Sequence, residues 1–301
     1  MRKAICILCI LFIKTFAIAL TLPNGVEASV KRIYKDNDKI VKAILAEPIY
    51  IETAYGKIKI KDEIEFFETG EVKTCHFVQD EILKPFIYGL KLDHLEKIEL
   101  YPSGNIKSGY IMRDTRFEEP LKGYITADGN TKVTFFDNNV IQSFNPSVNT
   151  FVYIKNGDKD EKIEAQRHRQ IELYEDGHVK SFVSAVKLSV QTKYGTVKTA
   201  PGKGRIIVYQ NGMFGQLVYG EMSEIQIGDS RIMTAAESAV TFYPNGNLMG
   251  FAADSTEKEI MIGDTKYVND RDLLCLEFIF DENGNVKKYG TVSRLELSRN
   301  N

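Results

Sequence analysis

The sequence predicts an all-β protein in which tandem antiparallel β-hairpin repeats of about 35 residues form an open, elongated array. Three observations predict it: a recurring turn signature, loop residues that suit a three-residue hairpin, and a second turn upstream of most signatures. The signature reads aliphatic-x-aliphatic-aromatic-x-x-Gly-x-aliphatic, and in the last copy the aromatic has moved by one place. The seven copies have their glycine position at Gly70, Gly104, Asn139, Gly177, Gly212, Gly246 and Gly284.

The loop chemistry supports hairpins independently of the hydrophobic pattern. Three residues separate the two strands of a copy, which fits a type I turn followed by one left-handed residue. Pro102 and Pro244 take the first loop position, where a φ near −65° suits the turn. Glycine takes the third position because it reaches positive φ without a steric penalty. Asn139 is the one substitute, and asparagine tolerates that conformation.

A second turn precedes most signatures, and a polar break of variable length separates the two turns. These upstream turns lie within residues 53–58, 87–91, 124–129, 191–197 and 225–229. We therefore expect three to four short antiparallel strands per repeat, with period-2 alternation clearest over Ile58–Ile64. A degenerate first copy is expected around Tyr34, with its turn at Asn37 or Asp38. Only the polar run at 161–169 could instead form a short helix.

The register of the signature predicts the core. The residue four positions before each hairpin glycine should point into one shared apolar layer, which comprises Phe66, Leu100, Phe135, Leu173, Val208, Phe242 and Phe280. Variable break lengths and degenerate terminal copies favour an open array with capping ends. The alternative is a closed β-propeller or barrel, with a ligand-binding or enzymatic site at its mouth. An outer-membrane barrel is disfavoured, because the strands look shorter than the roughly 9–11 residues needed to span a bilayer.

The N-terminus predicts a secretory signal over residues 1–19, followed by a single repeat array over residues 20–301. A positively charged start, the apolar stretch Ala4–Ile13 and the small-x-small site Ala17–Ala19 support this prediction. Cleavage at Val26–Ala28 competes with it. A transmembrane anchor is the other alternative, although the apolar run is shorter than the roughly 20 residues that span a bilayer. We expect the mature protein in the periplasm, in the cell envelope or secreted, and not spanning a membrane.

Charge gives no sign of a nucleic-acid or anionic-membrane partner. The precursor has a net charge of −2, and loss of Arg2, Lys3 and Lys14 with the signal takes it to −5. The densest basic point is Arg167–Arg169. We interpret it as a solvated strand edge, where charge discourages pairing, and an anion site is the alternative.

The remaining reactive residues predict no catalytic, cofactor-binding or metal site, and therefore no cofactor. The histidines lack metal-ligand spacing and a nucleophilic partner, and His178, after a hairpin glycine, is interpreted as a turn residue. Acidic loops such as Asp36–Asp38 and Asp281–Asn283 lack a full calcium-binding spacing. Cys75 and Cys275 remain after signal removal, and we expect separate buried thiols, because a disulfide would require a closed ring.

The turn and hairpin motifs of this chain resemble those of two groups of proteins. The stretches Tyr101–Ser108 and Tyr174–Ser181 resemble variant MORN repeats of bacterial antitoxin-like proteins, which have a shorter period. The longer unit, which joins a Thr-x-x-Gly turn to the aromatic hairpin, is similar to uncharacterised exported β-hairpin repeat proteins of spirochaetes over nearly the whole mature chain. The resemblance implies a fold and carries no catalytic residue. We therefore expect a non-enzymatic protein whose extended β surface binds a protein or glycan partner.

Overall fold

The computed structural model describes residues 17–79, 82–83, 90–121, 123–156, 159–293 and 296–297. Its contacts divide the chain into two compact units, one of Met1–Leu83 with Leu92–Gly109 and one of Lys84–Lys91 with Tyr110–Asn301. Both units consist of β-strands. Each unit is described separately below, and a single array over residues 20–301 stays a prediction.

The described residues form thirty strands in chain order. They are β1 Ile18–Thr21, β2 Glu27–Asp36, β3 Lys39–Leu45, β4 Ile49–Thr53, β5 Gly56–Phe66, β6 Val72–Phe77, β7 Ile82–Leu83, β8 Leu90–Lys91, β9 Ile98–Leu100, β10 Ile106–Tyr110, β11 Thr115–Glu119, β12 Gly123–Ala127, β13 Lys132–Phe135, β14 Ile141–Phe144, β15 Thr150–Asn156, β16 Lys159–Ala165, β17 Ile171–Leu173, β18 Val179–Phe182, β19 Ser189–Thr192, β20 Gly195–Lys198, β21 Ile206–Val208, β22 Phe214–Val218, β23 Ser223–Ile227, β24 Ser230–Thr234, β25 Ala239–Phe242, β26 Leu248–Ala253, β27 Glu259–Ile262, β28 Thr265–Val268, β29 Leu274–Phe280 and β30 Val286–Ser293.

The seven signatures are hairpins, which we call the main hairpins: β5–β6, β9–β10, β13–β14, β17–β18, β21–β22, β25–β26 and β29–β30. Neighbouring main hairpins pair edge to edge. In the first unit the antiparallel order is β1-β2-β3-β5-β6-β9-β10. In the second unit it is β13-β14-β17-β18-β21-β22-β25-β26-β29-β30. Among the described strands the order closes on itself in neither unit, so the array is open and the closed propeller or barrel is not formed.

The main-hairpin loops have the predicted geometry. In the fifth copy the Gly212 N–H donates to the Tyr209 carbonyl at 2.8 Å and the Tyr209 N–H donates to the Met213 carbonyl at 2.8 Å, and the other copies repeat this pair of bonds. The third loop residue has positive φ throughout, with Asn139 at 66°. In the second to sixth copies a polar side chain just before it closes an Asx or Ser turn, as when the Met213 N–H donates to Asn211 Oδ1 at 3.1 Å.

The predicted core register is confirmed. All seven residues four positions before the hairpin glycine are buried, from Phe135 at 0 % to Leu173 and Phe66 at 4 % exposure. The residues six positions before it, such as Ile171 and Val240, are buried as well. One face of each main hairpin therefore contributes to an apolar layer, as period-2 alternation requires.

A second set of hairpins covers this apolar face, and we call them the ribbons: β4–β5, β11–β12, β15–β16, β19–β20, β23–β24 and β27–β28. Aromatic contacts join the two layers. Phe117 lies 5.6 Å from Phe135, measured between ring centroids, and Tyr194 lies 6.4 Å from Phe242. A complete repeat therefore has four strands, the upper end of the predicted range.

Two details of the ribbon prediction are wrong. The polar run at 161–169 is not helical: its first part belongs to β16, and Ile163, buried at 6 %, faces the core. The predicted turn at 124–129 is mostly strand β12, and the turn lies earlier, before Gly123, whose φ is 100°. In β16 the charged residues on the solvent side hide the alternation of the strand. Of the turn predicted at 87–91, residues 87–89 lie outside the described residues, and Leu90–Lys91 form β8.

The N-terminal hairpins explain the degenerate first copy. Asn37 and Asp38 both have positive φ, at 46° and 64°, so β2 and β3 are joined by a tight two-residue turn at the predicted place. The segment Leu22–Val26 forms the same loop as the main hairpins, because the Gly25 N–H donates to the Leu22 carbonyl at 2.8 Å and the Leu22 N–H to the Val26 carbonyl at 2.9 Å. Strand β1 begins at Ile18.

Tyrosines tie consecutive main hairpins together in the second unit. Tyr174 donates its hydroxyl to the Val208 carbonyl at 3.0 Å, Tyr209 to the Phe242 carbonyl at 2.9 Å and Tyr243 to the Phe280 carbonyl at 2.8 Å. Each acceptor directly precedes the aromatic position of the next copy. The signature aromatic therefore has a structural role, which explains why it recurs with the turn.

The breaks share a left-handed residue that the sequence pattern does not reveal. Asn130, His168, Gly202 and Glu237 have φ between 57° and 71°, and each donates its N–H to a carbonyl of the chain that leaves the preceding main hairpin, at 2.7 to 2.9 Å. Leu273, in the last break, also has a φ of 66°. Asn130, His168 and Gly202 are residue types that tolerate this conformation, whereas it is costly for Glu237 and Leu273. At Glu237 the backbone hydrogen bond therefore fixes the turn against the preference of the residue.

Candidate binding surfaces

His178 and the acidic loop at Asp281–Asn283 make local polar contacts. His178 Nε2 lies 2.9 Å from Asp160 Oδ1, and His178 Nδ1 lies 3.2 Å from Asp176 Oδ2. The side chain and backbone amides of Asn285, with the backbone amides of Asn283 and Gly284, lower the pKa of Asp281 by hydrogen bonding. Within the described part of the chain, no group of three or more His, Cys, Asp or Glu side chains is arranged to hold a metal ion.

The two cysteines among the described residues, Cys75 and Cys275, are buried thiols, one in each unit. Cys75 is 0 % exposed, and burial raises the pKa of its thiol to about 12. Cys275 is also 0 % exposed, in a cluster with Ala235, Ala252 and Leu297. Both residues pack as small apolar side chains, as expected for buried thiols.

The basic cluster Arg167–Arg169 lies in a turn between β16 and β17, so the interpretation as a strand edge is wrong. The left-handed residue His168 turns the chain there, and its Nδ1 lies 2.7 Å from Asp128 Oδ2. Both arginine side chains are exposed. The nearby Arg205 is already engaged, with its guanidinium 2.9 Å from Glu172.

Successive breaks form an open groove of about 580 Å³ in the second unit, which we call the break groove. Its lining residues are Val148, Asn149, Gln166, Arg167, Ala185, Pro201 and Gly202. Val148 is 60 % exposed. Gln166 Oε1 is buried and has no hydrogen-bond partner among the described residues. The groove thus combines an exposed apolar side chain, a cation and an unsatisfied acceptor, the mixture found at recognition surfaces.

A second concavity, of about 540 Å³, lies between ribbon β15–β16, strand β19 and the loop of the fifth main hairpin, and we call it the ribbon groove. The apolar part of its lining includes Ile154, Ile163, Leu188, Val190 and Phe214, and its polar part includes Lys155, Glu161, Lys187 and the edge residues Ser189 and Gln191. The size is in the range of ligand pockets.

The solvent faces of the ribbons carry exposed aromatic rings. Tyr124 is 46 % exposed and Phe151 is 50 % exposed. A cation lies over each ring, with Arg116 Cζ 4.8 Å from the Tyr124 centroid and Lys162 Nζ 3.7 Å from the Phe151 centroid. The rings are therefore held in place by cation–π contacts, and one face of each is covered.

No family model and no curated protein sequence matches the chain. No helix among the described residues is long and apolar enough to cross a membrane. The case for function therefore depends on the surfaces themselves. Sequence reasoning located the breaks as the variable part of each repeat, but not the two grooves, because their walls come from residues more than 30 positions apart.

Proposed function

We propose that the protein is a non-enzymatic, exported repeat protein whose open β array presents an extended surface to a protein partner. The break groove carries this proposal, because it is built from the variable segments of consecutive repeats and exposes Val148 and Arg167 on a hydrogen-bonded scaffold. Rigid strands with variable loops between them are a common arrangement for recognition. The resemblance to exported spirochaete repeat proteins supports the export part of the proposal.

A glycan partner is the second candidate, since exposed aromatic rings such as Tyr124 and Phe151 are suitable stacking surfaces for sugars. The cations over both rings favour a protein partner, because a sugar ring would have to compete with Arg116 and Lys162 for the same ring faces.

The test is capture from envelope extracts by the immobilised protein, followed by a quantitative binding assay with the captured partner. Val148→Asp and Arg167→Glu should each weaken binding at least about tenfold, by burying a charge and by reversing one. Lys180→Glu, on an exposed main-hairpin strand away from that lining, is the matched control and should bind like wild type.

Equal binding by the groove variants and wild type would contradict the proposal, and binding to a glycan panel without any protein partner would favour the second candidate. Export is tested separately by N-terminal sequencing. Mature protein from the envelope should begin at Leu20, and an N-terminus at Met1 in a cytosolic fraction would remove the cell-envelope assignment.

A further inference from the structure

Polar side-chain contacts join consecutive breaks of the second unit. His168 Nδ1 lies 2.7 Å from Asp128 Oδ2. Glu237 Oε1 lies 3.0 Å from Lys203 Nζ. His168 and Glu237 are the left-handed residues of their breaks, and in both cases the partner belongs to the break before. The left-handed position is therefore the place from which a side chain reaches back along the array.

This series of contacts has a gap at the intervening break, whose left-handed residue is Gly202. The break before it carries Arg167 and Arg169, and neither guanidinium makes a hydrogen bond or an ion pair with a described residue. Arg169 corresponds to Lys203, because each directly follows the left-handed residue of its break. Lys203 has the Glu237 carboxylate as its partner, whereas the described part of the chain supplies no carboxylate to Arg169.

Each of the two arginines lines a concavity. Arg167 lines the break groove, together with Pro201 and Gly202. Arg169 lines a second concavity of about 330 Å³, which we call the arginine concavity and whose other lining residues are Asn145, His168, Gln170, Val183, Gly204 and Arg205. None of the described residues that line either concavity is acidic. Arg205 is balanced by Glu172, so Arg167 and Arg169 are the cations that remain for a ligand.

The gap at Gly202 is fixed by the backbone. The Gly202 N–H donates to the Ser184 carbonyl at 2.8 Å, and its φ is 71°. A Cβ atom at this position would lie 3.1 Å from Gln166 Oε1 and 3.2 Å from Gln166 Nε2, which is closer than ordinary van der Waals contact. The chain therefore passes close to the Gln166 amide at the point where the neighbouring breaks carry a side chain, and the groove stays open.

We propose that the break groove and the arginine concavity together bind an extended acidic segment of a protein partner, with one carboxylate at Arg167 and one at Arg169. This inference rests on the proposed protein-binding function and assigns the partner a chemical class. Arginine binds a carboxylate through paired N–H donors. Residues i and i+2 of an extended peptide lie on the same side, about 7 Å apart, so an acid-x-acid spacing suits two arginines that are two residues apart.

The apolar part of the break groove favours a polypeptide over a simple anion or a sulfated sugar. Val148 is 60 % exposed, and Pro201 is exposed as well. An aliphatic side chain two residues beyond the acidic pair would cover this surface, whereas an anion or a sulfated sugar would leave it in water. The segment that fits therefore has an aliphatic residue, then two acidic residues, at alternate positions.

The test uses the full chain and the peptide acetyl-Leu-Ser-Glu-Ser-Glu-Ser-Leu-amide, whose two leucines allow either chain direction. Titration followed by amide NMR should shift the Gly202 and Gly204 resonances and leave those of Gly246 and Gly284, which line neither concavity, in place. The analogue with glutamine in place of both glutamates should bind about tenfold more weakly. Raising the salt concentration from about 20 to about 300 mM should weaken the acidic peptide by a similar factor.

Arg167→Gln and Arg169→Gln should each weaken peptide binding about three- to fivefold, and the double variant about tenfold. Arg271→Gln is the matched control, because it makes the same charge change at an exposed arginine of another break and should leave the affinity unchanged. Gly202→Glu places a carboxylate at the position of Glu237 and should block binding from within the chain. If Gly202→Glu does not fold, the arginine variants, whose side chains are exposed, decide.

Unchanged Gly202 and Gly204 resonances at the highest peptide concentration would overturn the proposal, as would equal affinity for the glutamine analogue. Sodium sulfate that binds as tightly as the peptide would reduce the assignment to an anion site, and a sulfated oligosaccharide that binds more tightly would replace it by a glycan site. If the peptide fails while a captured partner still depends on Val148 and Arg167, the proposed function stands and only this inference is wrong.

Discussion

Phe242 is the residue whose truncation tests the hairpin register most directly. It lies in β25, is 3 % exposed, and stacks on Tyr194 at 6.4 Å between ring centroids. Phe242→Ala removes the whole ring from a site where main hairpin and ribbon meet. Truncation of a buried phenylalanine costs about 3–5 kcal/mol in transfer and cavity free energy. We expect a loss in that range, because Tyr194 is held by two further hydrogen bonds and is not free to fill the space.

The assay is guanidinium chloride unfolding followed by circular dichroism, with the free energy of unfolding taken at constant m-value. Thr241→Ala is the matched control, since Thr241 is the neighbour on the opposite face of the same strand and is only half-buried. The control should lose less than about 1 kcal/mol. A loss below about 1 kcal/mol for Phe242→Ala would mean that this face is solvated and the register argument fails.

Three further outcomes follow from single contacts. Tyr209→Phe removes the hydroxyl that donates to the Phe242 carbonyl at 2.9 Å, so it should lower the free energy of unfolding by about 1 kcal/mol. If denaturant unfolding shows no loss, this hydrogen bond does not stabilise the fold. The Lys42 ammonium lies 2.7 Å from the Glu63 carboxylate and lowers the pKa of Glu63 to about 2. The ionised Glu63 therefore stabilises the fold above about pH 4.5, and this contribution is lost as the pH falls toward 2. Glu63→Gln should make the free energy of unfolding depend less on pH between about 4.5 and 2. If this pH dependence does not change, other carboxylates cause it. Leu273 has a backbone φ of 66°, and its side chain is 84 % exposed. Leu273→Gly should therefore remove the strain of this conformation, stabilise the fold by about 1 kcal/mol and raise the melting temperature. A lower melting temperature would show that the leucine side chain makes stabilising contacts.

The main hairpins were predictable from sequence because their signals are local. A glycine or Asn139 at positive φ, a proline at the first loop position and aliphatic residues at fixed distances act within about ten residues, and each was found where predicted. The ribbons were harder to place. In β16 most residues on the solvent side are charged, so the sequence shows a polar run and does not reveal the buried face to which Ile163 belongs.

The backbone conformation of the breaks and the two grooves could not be predicted, for a physical reason. Glu237 adopts positive φ although glutamate does not favour it, because a carbonyl of the chain that leaves the preceding main hairpin accepts its N–H. Likewise, the lining of the break groove comes from residues as far apart in the sequence as Val148 and Gly202, so no local pattern marks them as neighbours.

The tyrosine bonds between main hairpins give the array a direction and a way to change its size. Tyr174, Tyr209 and Tyr243 each bond to the hairpin that follows, never to the one before, through a backbone carbonyl that any residue provides. A gene duplication that inserts one whole repeat between two others would therefore restore every such bond without any compensating substitution. Repeat number can then change by recombination while the strand ladder remains continuous.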